Sequence, residues 1–181
     1  MKKSYLYIAL MMLMGVFTLT SCNDEPDDSE SKRLAAELPG NWAFSELQEN
    51  EGETISSKNV NFYFDSSRFE VTVKRSTISR SYLFSVSGKW NIKSETLELY
   101  YDIDSLVTDG LTTEEQKSLY SSFTANNKML DDLRNSKQAW GMPIEISRPN
   151  NYSGMMKLTN SDYYAGTYTL SGMIPSPERR D

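Results

Sequence analysis

Phe62-Tyr63-Phe64-Asp65-Ser66-Ser67-Arg68-Phe69-Glu70-Val71-Thr72-Val73-Lys74 is the stretch that decides the fold. Side chains two apart on an extended chain point the same way. Phe62 and Phe64 therefore share a face opposite Asn61, Tyr63 and Asp65, while Phe69, Val71 and Val73 share one opposite Glu70, Thr72 and Lys74. The polar run from Asp65 to Arg68 supplies a turn between them. The product is an antiparallel hairpin with one apolar and one wet face.

The same alternation continues on both sides. Downstream, Tyr82, Phe84 and Val86 oppose Ser81, Ser85 and Ser87 as far as Gly88 and Trp90, and after a turn at Lys93-Ser94-Glu95 the residues Leu97, Leu99 and Tyr101 oppose Glu98, Tyr100 and Asp102. Upstream, 42–47 reads as the first strand, and strand signals return at 144–147, 152–159 and 163–173, making eight. Strand character stops at Asp109-Gly110, where Thr112-Thr113-Glu114-Glu115 has the form of a capping box. Leu119, Tyr120, Phe123, Leu130, Leu133 and Trp140 then recur at helical spacing, with Asn126-Asn127 expected to break the helix in two and Gly141 and Pro143 closing it. The expectation is a mainly β chain: an eight-stranded antiparallel barrel or strongly curved meander, with an amphipathic helical insertion at about 112–140 packed on the sheet.

The first 21 residues read as a secretory signal, with Lys2 and Lys3 at the start, an uncharged apolar run from 5 to 20, and small residues ahead of Cys22. Cys22 is the only cysteine, and a leftover thiol in an oxidising compartment needs a use. Asp24, Glu25, Asp27, Asp28 and Glu30 follow with Pro26 and no apolar side chain, so 22–33 reads as a flexible acidic tether. A domain at 34–173 and a polar tail at 174–181 complete the division.

Composition removes more functions than any motif supplies. The chain has no histidine, so no Ser/His/Asp or Cys/His nucleophile, no Cys/His zinc site and no histidine-ligated haem can be assembled. Its net charge of −6 falls to about −8 without the leader, which argues against nucleic acid as a partner. Asp102, Asp104 and Asp109 hint at a calcium loop, but Leu106, Val107 and Thr113 stand where the loop needs a ligand, a glycine and a glutamate. This segment reads instead as a strand end and solvated turn, and no metal, cofactor or catalytic residue is expected.

Three resemblances bear on function. Leu19-Thr20-Ser21-Cys22 resembles the bacterial lipobox, which implies diacylglycerol on the Cys22 thiol and cleavage just before it. The acidic run after Cys22 resembles the export signal that carries some lipoproteins to the outer cell surface, with a periplasm-facing location as the alternative. Leu38-Pro39-Gly40-Asn41-Trp42, following a helical-looking stretch at 34–37, resembles the start of a lipocalin, where Gly-x-Trp opens the first strand and the indole plugs one end of the barrel. Gly88-Lys89-Trp90-Asn91-Ile92 through Leu99 is similar to the repeated hairpin of bacterial lipocalin-like lipoprotein domains. Arg148 is the candidate for the arginine that covers the family's tryptophan. The resemblance implies a non-enzymatic, outer-membrane-anchored module with a lipocalin-like (calycin) barrel. It also implies a cup for a small apolar or amphipathic ligand, with Trp42, Phe62, Phe64, Tyr82, Phe84 and Trp90 as its lining or as plain core. The alternative is an accessory subunit that docks on another envelope protein.

Overall fold

The computed structural model describes residues 28–50 and 53–171. The signal 1–21, Cys22, the tether as far as Asp27 and the tail 174–181 lie outside the described residues. The chain runs α1 (Ser29–Glu37), β1 (Gly40–Asn50), β2 (Glu53–Phe64), β3 (Arg68–Thr77), β4 (Ser81–Lys93), β5 (Thr96–Asp109), α2 (Thr113–Leu133), β6 (Met142–Ser147), β7 (Met155–Leu158) and β8 (Gly166–Leu170). Each strand pairs antiparallel with the next, and β8 returns to β1, so the eight strands form a closed barrel.

The hairpin that decided the fold forms as its alternation dictates. Asp65 Oδ1 accepts from the amides of Ser67 (2.7 Å) and Arg68 (2.6 Å), and this turn sets Phe64 opposite Phe69. Val60, Phe62, Phe64, Phe69, Val71 and Val73 consequently all point inward and are buried. Each such side chain contributes about 1.5–3 kcal/mol of hydrophobic stabilisation. At the turn between β4 and β5, Ser94 (φ 48°) and Glu95 (φ 57°) both take positive φ. That pairing lets a two-residue connection follow the twist of β4 and β5.

The segment 102–109 is not the strand end and solvated turn its sequence suggests. β5 continues to Asp109 through a bulge in which the partner of Ser85 is Val107 while that of Ser87 is Asp102. Ser105 stitches the bulge: its Oγ accepts from the Ser87 amide at 2.8 Å and donates to the Asp102 carbonyl at 2.7 Å. Gly88 makes room beside it, since a Cβ there would lie 1.9 Å from the Tyr100 carbonyl oxygen.

β5 and β6 share only the pairs Thr96 with Pro143 and Leu97 with Met142, which leaves most of the β5 edge without a strand. α2 covers it. Asn126 Nδ2 donates to the Leu99 carbonyl (2.7 Å), and Asn127 both accepts from the Tyr101 amide (2.9 Å) and donates to its carbonyl (2.7 Å). A carboxamide has the donor and acceptor of a peptide group, so these two side chains stand in for a missing strand. Asn126-Asn127 therefore does not break the helix, which is continuous from Thr113 to Leu133 behind its capping box. Leu119, Phe123 and Leu130 form its buried stripe, while Tyr120 and Trp140 are exposed.

α1 starts at Ser29, inside the stretch read as tether. Arg33 bridges Glu30 and Glu37 along the helix, and Ser31 and Leu34 are buried against the barrel. The acidic composition concealed this because the carboxylates of 30 and 37 flank one arginine on the solvent side. α1 and its exit close one end of the barrel. Trp42 is fully buried there, its Nε1 donating to the Leu38 carbonyl at 2.7 Å. Arg148 Nη1 donates to the carbonyls of Glu37 (2.8 Å) and Pro39 (2.6 Å), which places it at the same end of the barrel as Trp42.

Candidate functional site

Strand length makes the two ends of the barrel unlike. β1 to β5 have 10 to 14 residues, whereas β6, β7 and β8 have six, four and five. Away from Trp42 one wall is therefore low, and the loop 159–165 fills the gap. Two strand readings end here: 152–159 shortens to Met155–Leu158 and 163–173 to Gly166–Leu170. Asn150 Oδ1 takes the Tyr152 and Ser153 amides in a turn, and Ser161 Oγ accepts from the Tyr164 amide at 3.1 Å. Neighbours on a strand face opposite ways. In a turn they need not, and Tyr163 and Tyr164 both reach aromatic partners of the barrel.

Tyr164 is fully buried, edge-on to Phe62 at 5.2 Å. Tyr163 sits against Phe84 at 5.6 Å and Phe123 of α2 at 6.4 Å. Tyr101 stacks on Phe123 at 4.1 Å. Between β5, α2 and the loop a cleft of about 200 Å³ remains, lined by Leu99, Tyr101, Phe123, Trp140, Tyr163 and Tyr164 among others.

The six residues expected to line a cup lie in three surroundings, although Phe84 is as buried as Phe62 and Phe64. Trp42, Phe62 and Phe64 are core, with Phe62 stacked on Phe64 at 5.1 Å and in edge contact with Tyr168 at 5.7 Å. Trp90 is half-buried, edge-on to Phe64, with its Nε1 bonded to the Asp65 carbonyl at 3.0 Å. Phe84 and Tyr82 lie higher, beside Tyr163 in a smaller hollow of about 130 Å³ that also touches Leu111 and Leu119. Tyr101, Phe123, Tyr163 and Tyr164 were not singled out as site residues. The adjacent tyrosines and the inward parity of Tyr101 were visible, but not that a turn would bring them together.

Burial raises the phenol pKa of Tyr101, Tyr164 and Tyr168, and raises that of Tyr163 with help from Asp162. All four rings thus present neutral hydroxyls at ordinary pH. Tyr168 donates to the Tyr164 carbonyl at 2.6 Å. The Tyr164 hydroxyl is buried with the Tyr101 hydroxyl as its polar neighbour. A larger groove of about 450 Å³ lies outside the barrel wall, between Lys89, Glu98, Tyr100, Asp131 and Arg134. Glu98 is buried there, accepting from Asn91 Nδ2 at 3.0 Å. Leu130 and Leu133 also line the groove, but most of its lining is polar or charged.

Comparison of the chain with protein-family models, with curated proteins and with solved structures returned no match.

Proposed function

We propose that the chain is a non-enzymatic binding module, held to the outer membrane by lipid on Cys22, that takes up a small apolar or amphipathic molecule through the loop end of its barrel. One observation carries this reading: the low wall of the barrel is closed by side chains rather than strands, leaving a ring-lined cleft that carries the hydroxyl-bearing rings of Tyr101 and Tyr164. Apolar concavities with a few convergent polar groups are where small ligands bind. The barrel interior below is packed with Phe62, Phe64 and Tyr168, so the ligand belongs at the cleft and not at the Trp42 end.

Native mass spectrometry of the protein recovered from its host tests the reading. A copurifying small molecule lost on Phe123→Asp supports it, and a ligand-free mass in every preparation counts against it. The anchor is tested separately, since Cys22→Ala should release the protein from membranes on a high-salt wash. Cleavage by protease added to intact cells would place the domain on the cell surface, and protection would place it in the periplasm.

A second reading, docking on another envelope protein, rests on Tyr120 and Met129 of α2 and Trp140 of the segment after it, all exposed. Crosslinking from a photoreactive residue at position 120 in membranes would reveal such a partner.

A further inference from the structure

Lys58 on β2 and Arg75 on β3 are register partners, and both have the inward parity of Val60, Phe62, Val71 and Val73. They stand at the loop end of the barrel. Neither forms an ion pair among the described residues. Each instead holds a backbone carbonyl of the loop: Arg75 Nη2 donates to Asp162 O at 2.9 Å, and Lys58 Nζ lies 3.4 Å from Ala165 O. Lys58 also sits over the Phe44 ring, 5.4 Å from its centroid. Burial and the neighbouring Arg75 lower its pKa, while Glu46 opposes them.

Arg75 Nε is buried without a hydrogen-bond partner among the described residues. It belongs to the strand residue that holds the loop, and across the same seam the loop residue Tyr164 fills the barrel. An unpaired buried polar atom is costly, and two adjacent cations held by carbonyl dipoles, the Phe44 ring and the single opposing charge of Glu46 are incompletely compensated. The loop is thus seated where an anion would be held better.

We propose that Lys58 and Arg75 form a carboxylate-binding mouth for a single-chain amphiphile, whose alkyl tail takes the space of Tyr163 and Tyr164 when the loop swings out. This rests on the reading of the chain as an apolar-ligand module and names the ligand class. The carboxylate accepts side-on from Arg75 Nε and Nη2 and from Lys58 Nζ, satisfying the unpaired Nε. The carbonyls of Asp162 and Ala165 pass to water, and so does the Tyr164 hydroxyl. No covalent bond changes.

The test compares dodecanoate with dodecanol, both below micellar concentration, on the chain from residue 22 carrying Cys22→Ser. Calorimetry should show dodecanoate bound roughly ten- to a hundredfold more tightly. Lys58→Gln combined with Arg75→Gln should abolish that preference while dodecanol still binds. In the unsubstituted protein, amide exchange at 162–165 should accelerate when dodecanoate is added, a readout that survives if the double variant does not fold. Equal affinity for the two compounds, or exchange at 162–165 slowed by dodecanoate, overturns the mouth and leaves the apolar-ligand reading standing. If neither compound binds, both are overturned.

Discussion

Trp42 shows how one residue can terminate a barrel. Its ring fills the closed end, its N–H is bonded to Leu38, and Arg148 ties the surrounding carbonyls together. Trp42→Ala should cost about 3–5 kcal/mol, measured as a shift of the urea midpoint, because little around it can collapse into the space. Gly88→Ala tests the close approach of β4 and β5. A methyl 1.9 Å from the Tyr100 carbonyl forces the strands apart, for a loss of about 2 kcal/mol or more. Glu115 makes a pH-dependent contribution. Arg80, then the Thr112 amide and hydroxyl, hold its pKa at about 2 against the usual 4.5. The folded value is the lower one, so these bonds stabilise above pH 4.5 and are lost as pH falls toward 2. The melting temperature of the parent should therefore exceed that of Glu115→Gln at about pH 6, with the gap closing near pH 2.

At the level of elements, α2 acts as a substitute strand. Asn127→Asp keeps the acceptor for the Tyr101 amide but removes the donor to its carbonyl and sets two oxygens against each other. It should destabilise by about 1–3 kcal/mol and speed amide exchange on β5 around Tyr101, with β2 and β3 protected as before. This helix also marks the limit of reading from sequence. Its start was legible because a capping box is local, and the strands of the 62–74 hairpin were legible because alternation is local. Asn126-Asn127 was misleading because asparagine disfavours a helix interior by itself, whereas here the β5 edge supplies what its side chain seeks. The β5 bulge was hidden for the same kind of reason: it depends on Ser105 reaching Ser87 across two strands and on Gly88 leaving room for the Tyr100 carbonyl. Of the site, Phe84 and Tyr82 were recognised by parity, but the Tyr163-Tyr164 pair looked like strand residues and acts through a turn.

For the whole molecule, uneven strand length is the feature on which the proposed function rests. Five long strands and three short ones close at the Trp42 end and leave the other end to the loop 159–165, α2 and their rings. A barrel of eight strands has room inside for side chains or for one small ligand, and in this chain the tyrosines of the loop hold the contested space. The most direct test is a nuclear magnetic resonance titration of the chain from residue 22, carrying Cys22→Ser, with dodecanol. Saturable shifts at Tyr101, Phe123, Tyr163 and Tyr164, with Trp42 unmoved, are the predicted result. Shifts confined to the outer groove around Lys89 and Tyr100, or none that saturate, would contradict it.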